Sequence, residues 1–73
     1  MKNSFSEYLL MNGWKAINPM MFQNGAKPEC EIFFDTSNQI ELYIDNKRKD
    51  GRYIMDLLEL IEFLMINNLL DKK

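Results

Sequence analysis

The chain of 73 residues contains no histidine and a single cysteine, Cys30. One thiol cannot form an internal disulfide, and without histidine it makes a poor zinc site. A chain this short lies near the lower limit at which a hydrophobic core alone stabilises a fold, and the usual supplements are a disulfide, a metal or association. Because the first two are excluded, association with another chain is the supplement that remains.

Long apolar runs are also missing. The most apolar segment, residues 53–70, is interrupted by Asp56, Glu59 and Glu62, so it does not have the composition of a membrane span. The first residues lead into a short amphipathic stretch containing Glu7, and not into the long apolar region of a signal peptide. A lone thiol without an export signal indicates a reducing compartment, which predicts a cytoplasmic protein.

Neither sign of charge is in large excess. Nine basic residues against eleven acidic ones give a net charge of −2, which argues against a general attraction to nucleic acid or to an anionic membrane. Hydrophobic residues at 47% and aromatic residues at 12% argue against disorder. The composition therefore predicts one folded domain covering residues 1–73.

Two runs of alternating residues give the clearest β signal. Every second residue is apolar over residues 30–34, and again over residues 40–44. The intervening residues 35–38 are of types that hydrogen-bond their own backbone or tolerate positive φ. The two runs therefore predict an antiparallel hairpin with one buried face. Residues 14–17 could extend as a further strand before Asn18-Pro19.

Residues 53–70 contain no glycine or proline and predict a long helix, with Asp50 as its N-cap. At about 100° per residue, an arc centred on Ile54 forms an apolar stripe for the core, including Leu58 and Met65. The expected class is α+β: a short N-terminal helix, a two- or three-stranded antiparallel meander, and a long C-terminal helix packed on one face of the sheet.

Further apolar side chains of this helix fall about 100–180° from the stripe, where a core cannot reach them. A contiguous exposed apolar patch usually marks an interface, so we expect a homodimer through this helix, with acidic residues on its rim. Those acids alone are better explained as a solvated face that keeps the helix soluble. The expected interface residues are Met55, Glu59, Glu62, Phe63, Ile66 and Leu70.

The outer face of the expected hairpin combines aromatic rings with carboxylates. If the apolar set points inward, Phe33 and Tyr43 point outward beside Glu31 and Glu41. An aromatic pair in acidic surroundings could receive a basic surface of a second protein, since aromatic residues are enriched in interface cores. It could also be a cross-strand pair that stabilises the sheet, or a surface that an N-terminal segment covers.

Lys47, Arg48 and Lys49, followed by Arg52, form the only basic cluster. These residues could contact phosphate, which gives the alternative function of a small nucleic-acid-associated regulator. A solvated loop on an acidic domain is the simpler interpretation. No aromatic residue lies within the run to stack on a base, which makes binding of nucleic acid the less favoured function.

No pattern of catalytic or ligand-binding residues accompanies these features. Cys30 has no histidine to act as its base and alternates with the apolar set, so we interpret it as a small core residue. The chain is therefore expected to be a non-enzymatic protein-binding module without cofactor, metal or small-molecule ligand. Asn, Lys and Ile are plentiful, as in proteins from AT-rich genomes. The compactness and acidity of the chain resemble those of small bacteriophage and mobile-element proteins that act by binding a host protein.

Overall fold

A computed structural model describes residues 3–35 and 38–70, with only the backbone of Asn3. Two helices flank five strands along the chain. The elements are α1 (Asn3–Met11), β1 (Trp14–Asn18), β2 (Met21–Asn24), β3 (Cys30–Phe34), β4 (Gln39–Ile44), β5 (Lys47–Tyr53) and α2 (Leu57–Ile66). Within the described residues, neither helix has the length and apolar character needed to cross a bilayer.

All five strands form one antiparallel sheet in the order β1-β2-β3-β4-β5, so each strand pairs with its neighbour in sequence. At the centre of the sheet, Ile32 of β3 pairs with Leu42 of β4, and Phe34 pairs with Ile40. The hairpin expected from the alternating runs is therefore confirmed, although residues 36 and 37 of its turn lie outside the described residues.

Both helices pack against the same face of the sheet. Phe5 of α1 stacks on Phe34 of β3 with ring centroids 5.9 Å apart, and Phe22 of β2 meets Phe34 edge to face. The arginine of β5, Arg52, lies 5.9 Å from the centroid of Phe63 in α2. The buried hydrophobic core comprises Phe5, Leu9, Trp14, Phe22, Cys30, Ile32, Phe34, Ile40, Leu42, Ile54, Leu60, Phe63, Leu64 and Leu69.

The architecture expected from the sequence is wrong in two respects. The sheet has five strands where two or three are expected, so the fold is mostly sheet. The C-terminal helix has 10 residues and is short, whereas the absence of glycine and proline predicts a helix over residues 53–70. The helix error arises at the two ends of α2, where cap residues decide its length, whereas the strand error includes a whole strand made of charged residues.

The fifth strand, β5, occupies the basic run that the sequence pattern assigns to a connection. Asp45 and Asn46, with φ of 53° and 66°, form the two-residue turn between β4 and β5. Positive φ at both positions is the signature of a type I′ turn, whose twist matches that of paired strands. The strand lacks apolar alternation because it lies at the sheet edge, where charged side chains are common and oppose pairing with other chains.

The start of α2 is fixed by Asp56, and not by Asp50 as the sequence suggests. The Asp56 carboxylate accepts a hydrogen bond from the Glu59 amide at 3.0 Å. In return, the Glu59 carboxylate accepts one from the Met55 amide at 2.6 Å. This reciprocal arrangement is a variant of the capping box, and it leaves residues 53–55 outside the helix.

The end of α2 is fixed by Asn68, whose φ is 58°. The amide of Leu69 donates to the carbonyl of Leu64 at 2.8 Å, and the amide of Asn68 donates to that of Met65 at 3.1 Å. These two bonds form a Schellman motif, in which one left-handed residue terminates the helix. The Asn67-Asn68 pair in the sequence is therefore the stop signal.

Candidate functional site

The face of the sheet turned away from both helices is called the open face here. Two rows of opposed residues cross it, one of Lys15, Gln23, Glu31, Tyr43 and Arg48 and one of Met21, Phe33, Glu41 and Gly51. Directly opposed side chains on neighbouring strands have their Cβ atoms about 4.5–5.5 Å apart. None of these residues belongs to the buried core. The four residues of the expected partner face, Glu31, Phe33, Glu41 and Tyr43, therefore lie together on it.

A shallow depression of about 370 Å³ lies on the open face. It is lined by Met21, Glu31, Phe33, Tyr43 and Asn46. Sequence reasoning missed two of these residues, and a signal for each was present. Met21 directly precedes Phe22, whose burial sends Met21 to the opposite face, and Asn46 follows Asp45 in a pair that suits a tight turn.

Tyr43 and Glu41 belong to a hydrogen-bonded cluster on the open face. The Tyr43 hydroxyl donates to Glu41 Oε1 at 2.8 Å, and Arg48 Nε lies 3.8 Å from the same oxygen. The hydrogen bond to Glu41 is the largest reason why the pKa of Tyr43 is raised, because it holds the phenolic proton. Arg48 can lie flat here because Gly51 has no Cβ, and a methyl group at that position would collide with its guanidinium.

Glu31 differs from Glu41 in having no such partner within the described part of the chain. Among residues 3–35 and 38–70, its carboxylate makes no hydrogen bond and no ion pair. The cations in its row, Lys15 and Arg48, are on strands two positions away, about 9–10 Å across the sheet. Arg48 is also directed toward Glu41. The depression therefore holds a negative charge that no described residue neutralises, beside two aromatic residues.

The basic residues of β5 do not form one surface. Arg48 lies on the open face, whereas Arg52 lies on the helix side with its guanidinium 4.0 Å from the Glu62 carboxylate. Lys47 and Lys49 are exposed. Because the two arginines are on opposite faces and each has an acidic neighbour, the positive field of the cluster is weaker than its sequence suggests.

The expected helix interface is only partly exposed. Phe63 is fully buried in the core, so its assignment to an exposed patch is wrong. Leu70 is partly buried and packs against the core, and Glu59 is partly buried in the N-terminal cap of the helix. The error has a physical cause. The predicted apolar stripe is centred on Ile54, which precedes the helix and therefore does not set its rotational phase.

The solvent side of α2 is nevertheless apolar. Met55, just before the helix, is 66% exposed, and Ile66 is 60% exposed, as expected for interface residues. Two residues that the sequence assigns to the core join them, since Leu58 is 73% and Met65 is 42% exposed. Glu62 is on the same side of the helix. We call Met55, Leu58, Met65 and Ile66 the α2 patch.

A second depression, of about 270 Å³, lies between the α1–β1 turn, the β2–β3 loop and the residues after α2. Its polar groups connect segments of the chain. The Asn24 side-chain oxygen accepts the amides of Ala26 and Lys27 at 2.9 and 2.8 Å. The Lys27 ammonium lies 3.4 Å from the carbonyl of Asn68, to which it donates. This depression therefore has a structural explanation.

The remaining chemically reactive group is the thiol of Cys30. It is buried, and burial is the largest reason why its pKa is raised, so it stays protonated at neutral pH. The described residues contain no group of three or more cysteine and acidic side chains that could hold a metal ion. The open face and the α2 patch are therefore the surfaces of the described residues that we consider as candidate binding sites.

Comparison of the chain with protein-family models, curated proteins and solved structures found no match.

Proposed function

We propose that this chain is a small non-enzymatic module that binds a second protein through the open face of its sheet. The observation that supports this most is the grouping of Glu31, Phe33 and Tyr43 around a depression that neither helix covers. Aromatic residues and methionine are enriched at protein interfaces, and both types line the depression. We further propose that the protein works in the cytoplasm, since its buried, unpaired thiol suits a reducing compartment.

This function fits the geometry better than the two alternatives. Nucleic-acid binding would need a continuous basic surface, whereas Arg48 and Arg52 lie on opposite faces beside carboxylates. Catalysis would need a nucleophile or an acid–base pair at a cleft. Cys30 is buried, and Glu41 on the open face is held by Tyr43.

The proposal is tested by comparing which proteins of the native host's lysate are retained by three immobilised forms of the chain. The forms are the unmodified chain, the open-face variant Phe33→Ala with Tyr43→Ala, and the control variant Leu58→Ala with Met65→Ala on α2. We expect one protein to bind the unmodified chain and the control saturably and to be lost with the open-face variant. Retention of the same proteins by all three forms contradicts the proposal. Emission from the buried Trp14 verifies that each variant is folded.

We also propose that two copies of the chain associate through the α2 patch. Met55 and Leu58 lie at one end of the patch, and Met65 and Ile66 lie at the other. If two helices meet antiparallel about a twofold axis, each end contacts the opposite end of the other copy, which makes the patch self-complementary. A 10-residue helix is only about 15 Å long, so the buried area is far below that of a standard interface and the dimer is weak.

Sedimentation velocity over a range of concentrations tests this association. We expect the unmodified chain to dimerise progressively up to about millimolar concentration, and Leu58→Glu to remain monomeric, since a charge in the patch would have to be desolvated. Ile17→Glu, at an exposed apolar position on β1, is the matched control and should dimerise normally. A monomer throughout the range for the unmodified chain contradicts the homodimer.

A further inference from the structure

We infer that the depression on the open face is a receptor for one cationic side chain, a lysine or an arginine, of a basic segment of the partner. This inference rests on the proposed function and specifies what the open face recognises. It also distinguishes the roles of the two glutamates: Glu31 binds the partner, whereas Glu41 holds Tyr43 in place.

The arrangement of side chains around Glu31 supports a cation as the occupant. Tyr43 is directly opposite Glu31 on β4, and Phe33 is two residues along β3 on the same face. A cation that approaches Glu31 therefore meets a carboxylate together with the faces or edges of two rings. Aromatic rings attract cations through their quadrupole, most strongly where water is partly excluded.

Within the described residues, the carboxylate of Glu31 remains available to a partner. Glu41 is already paired, because it accepts from Tyr43 and lies near Arg48. Gly51 allows Arg48 to remain in that position, away from Glu31. The hydrogen bond at 2.8 Å also fixes the orientation of the Tyr43 ring, so little side-chain freedom remains to be lost on binding.

Charge complementarity favours a basic segment over the other occupants of such a surface. An acidic or phosphorylated segment would face the unmatched carboxylate of Glu31. A purely apolar segment would have to bury that carboxylate without a partner, which costs more than leaving it hydrated. A lysine or arginine can lay its apolar stem along Met21 and Phe33 while its charged group reaches Glu31.

The test is a titration of the ¹⁵N-labelled chain with a blocked tripeptide Gly-Arg-Gly, in which binding is monitored by the chemical shifts of the backbone amides. The matched probe is Gly-citrulline-Gly, which has the same shape without the charge. We expect the arginine peptide to bind with a dissociation constant in the millimolar range and to shift the amides that surround the depression. The variant Glu31→Gln should weaken that binding at least about threefold, the scale of a partly exposed ion pair.

Glu62→Gln is the control, since it removes the same charge on the opposite side of the molecule and should leave binding unchanged. Equal shifts with the arginine and citrulline peptides, equal affinities for Glu31→Gln and Glu62→Gln, or no localised shifts, overturn the inference. If partner capture from the lysate is lost with the Phe33 and Tyr43 variant but survives Glu31→Gln, the receptor is wrong and the proposed function stands. If capture survives both variants, the proposed function is wrong.

Discussion

The two faces of the sheet are made by the same strands, but they differ in how deeply their side chains are buried. On the helix side, Ile32 and Leu42 are fully buried and contribute to the core with both helices. On the open face, their neighbours Phe33 and Tyr43 remain partly exposed. The buried core therefore lies on the helix side, and we propose that the rings on the open face, which are not part of that core, serve recognition.

Truncating one buried or half-buried side chain on each face should give the largest difference in stability between the two faces. Leu42→Ala should lower the free energy of unfolding by about 2–5 kcal/mol, as other large-to-small changes in a core do. Phe33→Ala, on the other face of the paired strand, should cost only about 1 kcal/mol, the upper range of a cross-strand contact. Urea unfolding followed by Trp14 emission measures both. Equal losses would show that the open face is structural.

A substitution in the turn between β4 and β5 should have a smaller effect on stability. Asn46 has a φ of 66°, a conformation that asparagine adopts more readily than alanine does. Asn46→Ala should therefore destabilise the chain by about 1 kcal/mol, the scale of one left-handed residue with a Cβ. Asn46→Gly is the control and should be as stable as the unmodified chain or more so, since glycine has no such penalty. If both variants unfold at the same urea concentration, backbone conformation at this turn does not limit stability.

The smallest effect concerns pH and the helix side of β5. The Asp50 carboxylate accepts hydrogen bonds from the Asn67 side chain at 3.2 Å and from the Gly51 amide at 2.8 Å. The first of these is the largest reason why the pKa of Asp50 is lowered in the folded chain. The resulting stabilisation is complete above the unfolded pKa of about 4 and is lost as the pH falls through the folded value.

Asp50→Asn should accordingly be less stable than the unmodified chain at pH 6, with a difference that shrinks as the pH falls through the folded pKa of Asp50, below which both carry a neutral side chain. Urea unfolding at a series of pH values measures the difference. A constant difference across the series would mean that the carboxylate charge plays no part in holding β5 to α2.

The central hairpin could be predicted from the sequence because its apolar residues alternate on a strand with one fully buried face. The fifth strand could not, because its helix-side positions are charged. The contacts of Asp50 with Asn67 and of Arg52 with Glu62 exist only after α2 has packed. An alternation of apolar and polar residues in the sequence indicates a strand only when its inward side chains are apolar. It does not detect a strand whose inward side chains are charged.

The candidate site likewise has one part that could be predicted from the sequence and one part that could not. Glu31, Phe33, Glu41 and Tyr43 could be placed on one surface because strand alternation fixes which side chains share a face. The helix interface could not, because its rotational phase depends on where the helix begins. With Asp56 as the N-cap, Phe63 turns into the core and Leu58 turns out.

The claim that the open face binds the partner is tested most directly by mapping the binding surface. The ¹⁵N-labelled chain is titrated with the partner captured from the lysate. We expect the amides that shift or broaden to lie on β2, β3 and β4 around Glu31, Phe33 and Tyr43, with the solvent side of α2 unaffected by the partner. Changes confined to α2, with the amides of the open face unchanged, would contradict the claim that the open face binds the partner.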